Sequence, residues 1–97
     1  MEVSQRAKSY IENNFSPSES RILENELASL EGEVSERGGE FSERIASSII
    51  ILAKRNFDNL GRVITSTKSD WRDVLLASGL DNDDWRLGVE ALLGPHT

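Results

Sequence analysis

The sequence predicts an all-α protein, a compact bundle of five to six short helices with a central helix near residues 40–56. Apolar residues recur every three to four positions through most of the 97 residues, as they do on one face of an α-helix. Polar and glycine-containing stretches separate these periodic segments, and no segment alternates apolar and polar residues long enough to indicate a strand. We therefore expect one helical domain over residues 1–97.

The first two helices are predicted on either side of a polar junction at residue 16. Residues 3–15 form the first helix, with apolar positions at helical spacing: Val3, Ala7, Tyr10, Ile11 and Phe15. Ser16 is a good N-cap, and Pro17 suits the first helical position, where its missing N–H is harmless. Glu19 follows three residues after the cap and completes a capping box, so we expect the second helix to begin at residue 17.

The second predicted helix carries a heptad-like row of apolar residues, namely Leu23, Leu27, Leu30 and Val34. Two heptads are too few to establish a coiled coil, so two arrangements stay open. The row either packs within the same chain, which we favour, or forms the seam of a dimer. Gly38 and Gly39 predict the end of this helix, because glycine tolerates the left-handed backbone of a helix C-terminus.

The third predicted helix, residues 40–56, has charges that match the helix dipole at both ends. Glu40 and Glu43 lie in its first turn, and Lys54 and Arg55 lie in its last turn. Its apolar stripe consists of Phe41, Ile45, Ile49, Leu52 and Ala53. A fourth helix is predicted near residues 57–67, with residues 65–69 as a polar connection.

Residues 70–94 contain the triplet Asp-Trp-Arg twice, at 70–72 and at 84–86. The two copies are either a duplicated recognition element or the start signals of two short helices, and we favour the second interpretation. Asp70 predicts the cap of the fifth helix and Gly79 predicts its end. Asp81 predicts the cap of the last helix, which places Trp71 at the first helical position and Trp85 at the fourth. Residues 94–95, Gly-Pro, predict the end of that helix.

Leu80 has two possible contacts, and the sequence leaves both open. It can fold back on Leu75 or Leu76 at the glycine-terminated end of the fifth helix, or it can pack on Trp85 as a hydrophobic staple.

The stretch DWRDVLLASGL followed by DDW resembles the C-terminal part of small uncharacterised bacterial all-α proteins. The resemblance covers about a quarter of the chain. It implies an α-helical bacterial protein, and it carries over no functional residue.

The charge balance is acidic, with seventeen acids, eleven bases and a net charge of −6. Acidity disfavours nonspecific nucleic-acid binding and favours basic partners. The chain has no cysteine, no N-terminal signal pattern and no apolar run longer than residues 49–53. We therefore expect a cytoplasmic protein without a membrane segment.

The residue types that catalysis or metal binding requires are scarce. His96 is the only histidine and stands one residue from the end, and no glycine-rich phosphate loop is present. Residues 81–84, Asp-Asn-Asp-Asp, lack the glycine and glutamate that a calcium loop needs at its sixth and twelfth positions. We therefore predict no catalytic residue, no cofactor, no metal site and no enzymatic activity.

Two functions stay open. We favour a non-enzymatic protein-interaction module, for example an immunity-type inhibitor that covers a basic partner. Its candidate partner-binding residues are Asp70, Asp73, Asp81, Asp83, Asp84, Trp71 and Trp85. The alternative is a small regulatory protein that touches nucleic acid through Lys54, Arg55 and Arg62, as a dimer along the row of Leu23 to Val34.

Overall fold

A computed structural model gives the fold of the protein and describes residues 5–30 and 39–94, with side chains of the second range described from residue 43. Six α-helices and one 3₁₀ turn occupy these residues, without a strand among them. The helices are α1 (Gln5–Asn14), α2 (Pro17–Ser29), α3 (Gly39–Arg55), α4 (Leu60–Ser69), α5 (Trp71–Ser78) and α6 (Trp85–Leu93), and the 3₁₀ turn is Phe57–Asn59. The predicted all-α class is confirmed.

Helix α3 is the centre of the bundle, as the sequence predicts. It contacts α1, α4, α5, α6 and the 3₁₀ turn. Ile45, Ile49 and Ile50 have no exposed surface, and they belong to one core cluster that draws on α1 to α5. Phe41, predicted to share this stripe, lies outside the described side chains. Burial on several sides of one helix explains why its neighbours arrange themselves around it.

The junction between α1 and α2 has the capping box that the sequence predicts. The Ser16 hydroxyl accepts a hydrogen bond from the Glu19 N–H at 3.2 Å, and the Glu19 carboxylate accepts one from the Ser16 N–H at 3.3 Å. Ser20 adds a buried contact that is not predicted from the sequence. Its hydroxyl donates a hydrogen bond to the Ile11 carbonyl at 3.1 Å. Together these bonds satisfy backbone groups that both helix ends would leave unpaired.

The row of leucines on α2 packs within the chain, and its use as a dimer seam is wrong. Leu23, Leu27 and Leu30 have no exposed surface left for a partner. Val34 lies outside the described residues. Helix α2 ends at Ser29 with Leu30 as its C-cap, and Gly39 begins α3, so Gly39 does not end α2 as predicted.

The predicted polar connection at residues 65–69 is also wrong, because α4 continues through Ser69. The hydroxyls of Thr65 and Thr67 donate to the carbonyls of Gly61 and Val63, four residues earlier, at 3.0 and 2.8 Å. These polar side chains are thereby satisfied on a helix, and Thr67 is fully buried there. Asp70 alone connects α4 to α5.

Helix α5 ends at Gly79, as predicted, and the chain folds back in a Schellman motif. Gly79 has φ +86°, and the Leu80 N–H donates to the Leu75 carbonyl at 3.0 Å. Leu80 is buried and lies against α6, where a Cβ added to Gly88 would come within 2.8 Å of it. The backbone thus folds back at Leu80 and its side chain lies next to Gly88 of α6, while the predicted side-chain contacts with Leu75, Leu76 or Trp85 stay predictions.

The predicted start of α6 is wrong, since Asp84 is its N-cap residue and Asp81 lies before the helix. The Asn82 side chain accepts a hydrogen bond from the Asp84 N–H at 3.0 Å, so residues 82–84 form a turn and delay the helix. Trp85 consequently takes the first helical position, as Trp71 does in α5. The two Asp-Trp-Arg triplets share one register at their helix starts, contrary to the prediction.

Candidate functional site

The candidate site begins at the N-terminus of α5, where Asp70 is an N-cap residue. One Asp70 oxygen accepts from the Arg72 N–H at 3.1 Å and from Arg72 Nε at 3.0 Å, and the other accepts from Arg72 Nη2 at 3.2 Å. Hydrogen bonds from the Arg72 side chain are the largest cause that holds the pKa of Asp70 below its usual value. Of the predicted partner-binding acids, Asp70 is therefore already committed to the fold.

A groove of about 530 Å³ brings four of the seven predicted partner-binding residues together. Its walls come from Arg44 of α3, from the beginning and middle of α5, and from the turn before α6. The groove is lined by Arg44, Asp70, Trp71, Arg72, Asp73, Leu75, Leu76 and Asp81. Apolar side chains thus meet carboxylates in one concave surface, which is the composition of a polar-rimmed binding site.

Four carboxylates beside or within this groove make no hydrogen bond or ion pair in the described part of the chain: Asp73, Asp81, Asp83 and Asp84. All four residues are exposed. Asp84 is the N-cap residue of α6, yet its side chain accepts no cap hydrogen bond. We call these four residues the acidic face.

Trp85 lies beside the acidic face and is half-buried against two guanidinium groups. The Arg44 Cζ atom is 5.1 Å from its ring centroid, and the Arg86 Cζ atom is 4.5 Å from it. Arg44 also donates from Nε to the Leu80 carbonyl at 2.8 Å. Cation–π contacts of this kind are worth about 0.5–1 kcal/mol where exposed and more where desolvated. Trp85 therefore helps to hold α6 against α3.

Burial lowers the pKa of the Arg44 guanidinium, while the negative charges of Asp81 and Asp83 act in the opposite direction. Both aspartates precede α6 and lie within the electrostatic field of Arg44, a residue of the central helix.

The basic residues proposed for nucleic-acid contact do not form a free patch of three. Lys54 Nζ donates to the Asn14 carbonyl at 2.8 Å, at the end of α1, and lies 5.4 Å from the Phe15 ring centroid. Arg55 Nη1 donates to the Ala77 carbonyl at 3.1 Å, in the last turn of α5. Each cation therefore closes the C-terminal end of a helix, where cations are favoured.

Two features of this surface are missing from the sequence predictions, and only the second could have been found from the sequence. Arg44 donates a hydrogen bond to Leu80, 36 residues away in the sequence, and no local sequence pattern predicts such a contact. Leu76 is 66 % exposed, because it lies off the buried stripe of Val74 and Leu75 on α5. A helical projection of residues 71–78 would have placed Leu76 on the outer face.

The described residues contain no group of three His, Cys, Asp or Glu side chains arranged to hold a metal ion. None of the helices in the same part of the chain combines the length and the apolarity that a bilayer span requires.

Comparison with known proteins finds no matching family model, no matching curated protein and no matching solved structure. The resemblance of residues 70–85 to small bacterial all-α proteins therefore stays a prediction.

Proposed function

We propose that the protein is a non-enzymatic interaction module that binds a basic protein through its acidic face. The observation that carries this proposal is the state of the four carboxylates, which are exposed and make no hydrogen bond or ion pair with the described residues. An immunity-type inhibitor that covers the basic surface of a toxin or nuclease is one concrete form of this function.

The carboxylates and the apolar groove have separate tasks in this proposal. An exposed ion pair contributes only about 0.2–1 kcal/mol, so the acidic face mainly steers a basic partner and fixes its register. Affinity comes from apolar surface, which the exposed Leu76 supplies at the groove beside the half-buried Trp71. Both contributions meet in one place because Asp73 and Asp81 line the same groove.

Two of the three basic residues on which the nucleic-acid alternative depends give it no support. Lys54 and Arg55 are hydrogen-bonded to carbonyls at helix ends, and phosphate contacts would compete with those bonds.

The experiment is affinity capture from a lysate of the native host, followed by mass spectrometry. Two variants of equal net charge are compared with the unmodified chain. The first changes Asp73, Asp81, Asp83 and Asp84 to Asn. The matched control instead changes Glu12, Glu24 and Glu26 to Gln and Asp58 to Asn, at positions outside the groove.

We expect the unmodified chain and the control variant to retain the same basic protein, and the acidic-face variant to lose it. Equal recovery of the partner by both variants would show that the acidic face is not required for binding. Equal loss by both would assign binding to net charge alone.

A further inference from the structure

A second groove, of about 320 Å³, lies between α4 and α5 and has a mainly apolar lining. Its apolar residues are Leu52, Val63, Val74 and Ala77. Val74 is buried, whereas Leu52 and Val63 are half-buried and Ala77 is exposed, so part of this apolar surface faces solvent. Asp81, Asp83 and Asp84 lie outside the groove, which separates it from most of the acidic face.

Opposite charges stand on the two helices that border this groove. Arg62 belongs to α4 and Asp73 belongs to α5, and both are exposed. Neither side chain forms a hydrogen bond or an ion pair with the described residues, although the two share one groove. A partner that presents a negative charge to α4 and a positive charge to α5 would complement both side chains.

The protein itself carries an exposed apolar side chain near this groove that could enter the groove of another copy. Leu76 is 66 % exposed and lines the first groove, next to Asp73, which lines both grooves, and to Ala77, which lines the second. Residues three and four apart share one face of a helix, so Asp73, Leu76 and Ala77 form one exposed face of α5.

We propose that the groove between α4 and α5 binds a second copy of this chain, with Leu76 of each copy entering the groove of the other. In a twofold dimer the same surface patch serves both copies, so Arg62 meets the partner's Asp73 and Asp73 meets the partner's Arg62. This charge complementarity with itself is the reason for choosing a second copy over an unrelated protein. The interface replaces the predicted seam, whose leucines are buried within the chain.

Sedimentation equilibrium of the full chain, over concentrations that reach the millimolar range, tests the proposal. We expect the unmodified chain to approach twice its monomer mass of 10.8 kDa. Leu76→Ser should raise the dissociation constant roughly tenfold or more, because it removes the apolar side chain that enters the groove. Leu87→Ser is the matched control, since Leu87 is also 66 % exposed but belongs to α6 and not to the exposed face of α5. It should leave the constant unchanged.

Charge exchange supplies a second readout. Arg62→Asp and Asp73→Arg should each weaken self-association roughly tenfold or more, because each places like charges opposite one another. Mixing these two variants should restore a dimer, since one chain then carries two aspartates at these positions and the other chain carries two arginines.

A monomer mass at every concentration would overturn the proposal. So would a dimer that Leu76→Ser and both charge variants leave intact. Circular dichroism of each variant verifies that its helices are retained. Asp73 and Leu76 also belong to the proposed partner-binding surface, but sedimentation of the purified chain without a partner measures self-association alone, so the outcome does not depend on the proposed function.

Discussion

Four cationic side chains donate hydrogen bonds to carbonyls at or just after the C-terminal ends of helices in this protein. Arg6 Nη1 donates to Gly94, the C-cap of α6, at 2.9 Å, and Lys54 and Arg55 of α3 reach the ends of α1 and α5. Arg44 reaches the Leu80 carbonyl, just after α5. A helix leaves its last four carbonyls unpaired and carries partial negative charge there. A cationic side chain donates hydrogen bonds to these carbonyls and also offsets that negative charge. The basic residues thereby hold the bundle together, and several acids stay free at its surface.

Arg6 shows why these contacts cannot be predicted from sequence. It donates from Nε and Nη2 to the Glu43 carboxylate at 2.8 and 2.6 Å and also reaches Gly94, which is 88 residues away. Both members of the Arg6–Glu43 pair are largely buried, with 17 % and 11 % of their side chains exposed. The sequence identifies Glu43 only by its place in the first turn of α3. Its partner depends on tertiary packing.

Asp70 gives a prediction about pH. Because its pKa is lowered in the folded state, the ionised carboxylate stabilises the fold at pH values above the ordinary pKa of an aspartate in the unfolded chain. That stabilisation disappears as the pH falls through the lowered folded pKa. Asp70→Asn keeps a capping oxygen but loses the charge, so the variant should unfold more easily than the unmodified chain near neutral pH only.

Urea unfolding midpoints, measured at several pH values from neutral to strongly acidic, check this prediction. High salt should shrink the difference, because 74 % of the Arg72 side chain is exposed to solvent. A difference between the two chains that persists unchanged at low pH would contradict the assignment to the charge of Asp70.

Ser47 and Ser48 are buried neighbours on α3 that differ in one respect. The Ser48 hydroxyl donates to the Arg44 carbonyl at 3.0 Å, whereas the Ser47 hydroxyl has no hydrogen-bond partner among the described residues. A buried polar group without a partner costs about 1–3 kcal/mol. Ser47→Ala should therefore raise the free energy of unfolding by about 1 kcal/mol, and Ser48→Ala should change it less. A loss of stability in Ser47→Ala, by urea unfolding, would disprove this.

At the scale of the helices, the structure follows local signals where these are strong. The capping box of residues 16–19 and the glycine stop at Gly79 are both found as predicted, because their hydrogen bonds involve only near neighbours. The start of α6 is predicted three residues too early. Its sequence offers three aspartates as caps, and the Asn82 turn that decides among them depends on backbone geometry. Competing local signals are therefore the limit of prediction at this scale.

Replacing Gly61 or Gly79 with alanine should change stability in opposite directions, because the two glycines have different backbone conformations. Gly61 lies within α4, and an added Cβ would meet nothing within 4 Å. Gly61→Ala should therefore raise the free energy of unfolding by about 0.4–1 kcal/mol. Gly79 has φ +86°, so Gly79→Ala should lower it by about 1–2 kcal/mol. Urea unfolding of both variants checks the signs, and two changes of the same sign would contradict the helix boundaries.

At the scale of the whole molecule, the sequence predicts the fold class and the central helix but only part of the candidate site. Helical periodicity and charge at the helix ends are sufficient for α3. The acids of residues 70–84 can be read from the sequence, but the sequence does not show which of them are hydrogen-bonded and which lie near a cation. Asp70 is bound by Arg72, and Asp81 and Asp83 lie within the field of Arg44, which sequence spacing does not indicate.

The central claim is that the acidic face, and not the overall charge of −6, brings a basic partner to this protein. The most direct measurement is the association rate constant of the captured partner at increasing salt, for the unmodified chain and the two variants of equal charge. We predict fast, salt-sensitive association for the unmodified chain and the control variant, and slow association with little salt dependence for the acidic-face variant. Equal rate constants for the two variants at every salt concentration would contradict the claim.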